Sequence, residues 1–195
     1  MIKRILNKLR NLYYSHKYNI PIKNKCYFGH RISICGNKYI IYGNNILFSD
    51  DTELSVIPAI NGVCPQLFIG DNVHFGRMNR IGCANKIIIG NNVLFAPHVH
   101  ISDRDHGFKN INCPISQQKI TSKGPVIIGD ETWLGFNCQI MSGVTIGKHC
   151  VIAAGTIVVK NVPDYCVVGG NPGRILKKYN LITKKWEKYD ENKCN

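Results

Sequence analysis

Long apolar runs are missing from this sequence. The longest, VIAAGTIVV (151–159), falls well short of the roughly 20 residues a membrane span requires. MIKRILNKLR, at the N-terminus, interrupts its apolar positions with charge, where a secretory signal keeps an unbroken core. A cytoplasmic protein is the expectation. Paired cysteines are missing too. The nine cysteines (26, 35, 64, 83, 113, 138, 150, 166, 194) contain no CxxC and their number is odd. A disulfide scaffold or a zinc knuckle is therefore disfavoured, and reduced, buried thiols are expected. Acidic residues are scarce, 12 against 25 Lys and Arg, for a net charge of +13. The excess lies at the ends, 1–31 and 174–193, leaving the middle near balance. Basic appendages on a neutral scaffold fit that distribution, and a nucleic-acid groove through the fold does not. No nucleic acid partner is expected.

What is present is a repeat. From Ile128 the chain reads in sixes, with first positions Ile128, Leu134, Ile140, Ile146, Ile152 and Val158. The fifth positions, Thr132, Cys138, Val144, Cys150, Thr156 and Val162, are small or β-branched, and the second is usually Gly or Ala. The pattern runs earlier through Ile69-Gly70, Phe75-Gly76, Ile81-Gly82, Ile89-Gly90, Phe95-Ala96 and Ile101. A weaker version starts near Tyr42-Gly43 and passes Phe48, Leu54 and Ile60. A six-residue step suits neither a helix nor a two-sided strand. It suits a short strand plus a tight corner, three of which close a triangular coil of about 18 residues in a parallel β-helix. Glycine is expected to supply corner conformations that a Cβ would forbid.

The expected layout is all-β. Residues 1–20 form a basic amphipathic helix, 21–170 the coil domain and 171–195 a C-terminal extension, partly helical and then frayed. The regularity breaks once, between Ile101 and Val126, where a polar segment predicts a protruding loop over 102–125. At its root lies HVHISDRDHGF (98–108), with three of the seven histidines. His98 and His100 flank an inward Val99 and should point outward, as surface residues or as walls of a substrate cleft. No third ligand is in register with them, so no metal is expected.

These segments resemble the hexapeptide-repeat acyltransferases, in the branch of galactoside, maltose and surface-polysaccharide O-acetyltransferases. The resemblance rests on APHVHISDRDHGF, GPVIIGDETWLGFNCQIMSGVTIG and VIAAGTIVVKNVPDYCVVGGNPGRILKK. It implies a left-handed helix, a homotrimer, and acetyl-CoA lying between subunits. It makes His106 the catalytic base, with Asp103 or Asp105 to orient its ring. It assigns Trp133, Ala154, Lys160, Arg174 and Lys177 to acetyl-CoA, with Trp133 beside the histidine. Phe136 and Val159 depart from the family at the cofactor cleft. The acceptor segment FGRMNRIGCANK offers Arg77, Asn79, Arg80 and Asn85, with His98 and His100 nearby, but lacks the aspartate of relatives that use small sugars. The implied activity is O-acetylation of a sugar hydroxyl, in a precursor of a bacterial surface polysaccharide such as O-antigen or capsule. Alternatives are another acceptor (an amino sugar, serine or an antibiotic) and a non-catalytic binding scaffold. Ile2, Ile5, Leu6, Leu9, Leu12 and Tyr13 recur at helical spacing among Lys3, Arg4, Lys8 and Arg10. That helix either caps the open end of the coil or rests on an anionic membrane at the inner face.

Overall fold

In the computed structural model, which describes residues 2–189, the chain winds through three sheets in rotation. Within these sheets each inner coil strand pairs in parallel with the strand one coil before it and the strand one coil after. The sheets thus form three faces of a stacked triangular coil. Leu134 pairs with Ile152, Ile140 with Val158 and Ile128 with Ile146.

Both repeat positions point inward. Ile128, Leu134, Ile140, Ile146, Ile152 and Val158 are at most 2% exposed, and the fifth-position residues at most 5%. On the first face the inward column begins with aromatics. Phe28, Phe48, Phe75 and Phe95 lie ring over ring, at centroid separations of 5.3, 5.2 and 4.6 Å. Leu134 and Ile152 extend the column. Stacked rings of this kind add to the burial of their own area.

Gly143 and Gly155 take the positive-φ corner conformations expected of glycine, but the glycines that follow the first repeat position have a different reason. Gly70, Gly90, Gly129 and Gly147 are not at positive φ; the left-handed corner residues are Asn72, Asn92, Glu131 and His149. A Cβ on Gly70 would lie 2.7 Å from the backbone of Gly90. Close approach of one coil to the next excludes the side chain. Carboxylate and amide side chains bind the same corner. Asp71 accepts from the Asn44 amide at 2.6 Å, Asn91 from the Asp71 amide at 2.8 Å, and Asp130 from the Asn91 amide at 2.7 Å.

The regularity breaks twice, not once. Besides the long loop, residues 57–65 leave the coil between strands Glu53–Val56 and Gln66–Ile69. Ile60 falls there and is not a rung. Both excursions leave from the corner between the second and third faces. A nine-residue excursion fits within the looser early hexads, so the repeat alone did not expose it.

Helix α1 (Ile2–Lys17) closes the first coil with side chains. Arg10 Nε donates to the Phe28 carbonyl at 2.7 Å, and Asn11 Oδ1 accepts from the Phe28 amide at 3.0 Å. The Tyr14 hydroxyl accepts from the Ile32 amide at 3.3 Å, and the Tyr18 hydroxyl donates to the Ile32 carbonyl at 2.7 Å. An edge strand that would otherwise be open is satisfied. At the other end the expected helix is absent. Strands Arg174–Asn180 and Lys185–Lys188 form an antiparallel hairpin on the edge of the first sheet, and Tyr179 packs on Trp186 at 5.4 Å. The unpaired edge left by Cys166–Gly169 competes with helix formation and wins. The last part of that expected tail, 190–195, lies outside the described residues.

Five of the eight described cysteines are buried, but Cys35 and Cys64 are exposed and Cys113 is partly so; all eight are free. Among the described residues, no helix is long and apolar enough to cross a membrane.

Truncating Phe75 to alanine removes the middle of the aromatic column. We expect a loss of about 3–5 kcal/mol, read from the denaturant midpoint with the slope unchanged.

Candidate active site

The long loop is held at its root by buried polar groups. Asp103 is fully buried. Its carboxylate accepts from the backbone amides of Ala84 at 2.7 Å and Asn85 at 3.0 Å, and meets Cys83 Sγ at 3.4 Å. Ser142 joins the two ends of the excursion. Its hydroxyl donates to the Asp103 carbonyl and accepts from the Lys123 amide, both at 2.9 Å. Asn85 reaches the Ser122 hydroxyl at 3.4 Å.

From this root rises a small antiparallel ladder, Asp105–His106 against Ile120–Thr121. The Gly107 amide donates to the Lys119 carbonyl at 3.0 Å, and a Cβ on Gly107 would sit 2.6 Å from that oxygen. Glycine after the histidine is therefore required by the ladder's closeness. His106 itself is exposed. Backbone pairing fixes its position, while its ring stays open to solvent.

Neither expected carboxylate orients that ring within one chain. Asp103 is committed to the preceding coil. Asp105 neighbours His106 in a strand, where successive side chains point to opposite sides. Among the described residues, neither is hydrogen bonded to the His106 ring.

The acceptor candidates disperse. Asn79 is fully buried, and its Oδ1 accepts from the Val99 amide at 2.8 Å, so it is an interior coil residue. Arg77 lies 3.7 Å from Asp50, in a groove beside α1. Asn85 belongs to the loop root. His98 and His100 do point outward and share a groove of about 520 Å³ with Asp51, Met78, Arg80 and Asn137. The His98 ring packs edge-on against Phe136 at 5.3 Å. Partial loss of hydration and the positive charges of Arg80 and Arg104 lower the His100 pKa below the usual 6.5.

The cofactor candidates fall in three places. Trp133 and Lys177 share a groove on the first face with Glu131, His149 and Trp186. Lys160 and Arg174 line another at the C-terminal end of the coil. Ala154 is exposed on a corner. Trp133 stands on the first face, and the loop carrying His106 leaves the corner opposite it. One chain does not bring the two together.

Ser142 and Ser122 were not among the expected site residues, because their roles need the fold. Nor were Trp186 and the His149–Glu131 pair at 3.0 Å, which border the Trp133 groove. The strand alternation of the tail was the available signal for Trp186. Burial, with the Asp103 carboxylate adding, pushes the Cys83 thiol up to about 12, and burial takes Cys138 to about 12. Such thiols are not nucleophiles at neutral pH. No group of three or more His, Cys, Asp or Glu among the described residues gathers as metal ligands.

Residues 125–160 match the bacterial transferase hexapeptide (six repeats). A probable acetyltransferase of Mycobacterium tuberculosis is 39% identical over 63% of this chain and 39% of its own length. A putative lipopolysaccharide biosynthesis O-acetyl transferase of Escherichia coli is 34% identical over 63% of this chain and 65% of its own. The chain therefore spans less than two thirds of these curated relatives. Among solved structures, an N-acyltransferase of Bacillus cereus, crystallised with dTDP and 3-hydroxybutyryl-CoA, superposes with a TM-score of 0.68. It covers 82% of each chain at 19% identity, a likeness of fold. The chain carries the hexapeptide repeat, and its resemblance to hexapeptide-repeat acetyltransferases holds.

Two outcomes are expected. Replacing Ser142 by alanine leaves the Lys123 amide without its partner; its hydrogen exchange should accelerate, with a stability loss of about 1–3 kcal/mol. For His100, the folded protein binds the proton more weakly than the unfolded chain, so its contribution is present above pH 6.5 and lost as pH falls. Its NMR titration midpoint should lie below 6.5 and rise in Arg80→Gln.

Proposed function

We propose that this chain is an acetyl-CoA-dependent O-acetyltransferase with His106 as general base. The acceptor is a sugar hydroxyl in a cytoplasmic precursor of a bacterial surface polysaccharide. The observation that carries the reading is the placement of His106: an exposed imidazole on a short backbone ladder, rooted by buried Asp103 and Ser142 in a coil with hexapeptide repeats. The names of the relatives support acetyl transfer, and the lipopolysaccharide biosynthesis relative supports the acceptor class.

In the proposed reaction the His106 imidazole takes the proton of the acceptor hydroxyl as its oxygen attacks the thioester carbonyl. The new C–O bond forms and the C–S bond breaks. The departing CoA sulfur then recovers the proton from the imidazolium. Transfer is direct in this reading, since the sequence places no cysteine beside a base, and burial holds Cys83 and Cys138 as thiols. Trp133, Ala154, Lys160, Arg174 and Lys177 would hold acetyl-CoA, the basic side chains meeting its phosphates. His98 and His100, which share one groove, would face the acceptor in this reading.

The coil would be left-handed and the enzyme a homotrimer. The separation of Trp133 from His106 on one chain supports the trimer. If the two belong to one site, the tryptophan face of one copy must meet the histidine corner of its neighbour.

The test is incubation with isotopically labelled acetyl-CoA and a panel of sugars, nucleotide sugars, lipid-linked glycans, amino sugars, serine and antibiotics. Label should appear on a sugar hydroxyl and fall about 100- to 10,000-fold in His106→Ala. Transfer that survives the substitution moves the base elsewhere. No transfer and no acetyl-CoA binding would leave a non-catalytic scaffold.

A further inference from the structure

We infer that α1 docks the protein on an anionic lipid surface through the face it turns away from the coil. The inference does not depend on the proposed reaction. The capping contacts come from Arg10, Asn11, Tyr14 and Tyr18. At 3.6 residues per turn the first three cluster on one side of the helix, and Tyr18 follows directly after its last residue. Ile2, Ile5, Leu6, Leu9, Leu12 and Tyr13 fall on the opposite side, and all are exposed, from 40% at Leu12 to 73% at Ile2. The apolar stripe that the sequence offered for capping is thus not what caps. A coil end needs hydrogen-bonding groups for its edge strand, and the polar side of α1 supplies them.

Charge selects the occupant. Arg4 and Lys8 border the stripe on one side, Lys3 and Lys17 on the other. The first 49 residues contain nine Lys and Arg and no Asp or Glu. Packing two copies of this face together would press like charges against one another. A layer of anionic headgroups would neutralise them while the apolar stripe enters the acyl boundary. Among the described residues no helix is long and apolar enough to span a membrane, so the proposed contact of α1 lies along the surface.

The experiment is flotation of the full chain with phosphatidylcholine vesicles, with and without about 30% phosphatidylglycerol. Bound protein should rise at least about tenfold with the anionic lipid and fall as salt is added. The double substitution Leu6→Asn and Leu9→Asn should reduce binding by about tenfold or more, with thermal unfolding and solution mass unchanged, since neither residue caps the coil. Lys3→Gln with Lys8→Gln should weaken binding and flatten its salt dependence. Failure to float with anionic vesicles overturns the inference, as does equal binding by the double asparagine variant. A fall in the solution mass of that variant overturns it in favour of a second copy as occupant.

Discussion

A stacked coil satisfies its backbone only through its neighbours. Each rung hands its amides and carbonyls to the rung before and after, so the first and last rungs are left with an open row. Both ends of this protein follow from that constraint. At the start, Arg10, Asn11, Tyr14 and Tyr18 meet the groups of Phe28 and Ile32. At the finish, the chain turns back and pairs antiparallel on Cys166–Gly169. The two devices differ because one end receives a helix and the other a strand, yet each removes the same liability.

Stacking also decides where the chain can leave the coil. An excursion cannot interrupt a rung without orphaning two others, so it must begin and end at a corner. Both excursions use the corner between the second and third faces, and the longer one carries His106. Its root shows how a polar loop joins an apolar interior. Asp103 goes inside but takes two backbone amides with it, and Ser142 ties entry to exit. Buried polar atoms are tolerated here because they are paired. Asn79 Nδ2 and Thr156 Oγ1 are the buried exceptions among the described residues.

Some of this was open to reading in the sequence. The hexads from Ile128 to Val158 predicted inward positions residue by residue, because one side chain in six faces the same interior column on every turn. His98 and His100 were placed outward by the same count. Other positions misled for identifiable reasons. Asn79 is polar and sat beside candidate acceptor residues, but it occupies an interior slot and bonds to Val99. Asp103 is two residues from the loop's ladder, but the corner turns it onto the preceding coil. The glycines after each first position were located correctly and explained wrongly, since what excludes their Cβ is the next coil, absent from any local pattern.

Residue spacing was enough to read the period, the residues that fill the interior, the place of the long loop and the amphipathic character of α1. Those are local properties, set by which side chains recur at which spacing. It took the fold to show which side of α1 touches the coil, what Asp103 and Ser142 hold, and that Trp133 and the His106 loop lie on opposite sides of one chain. Those depend on how coils stack on one another, and stacking brings together residues 18, 20, 27 or 39 positions apart according to excursions that the repeat does not count.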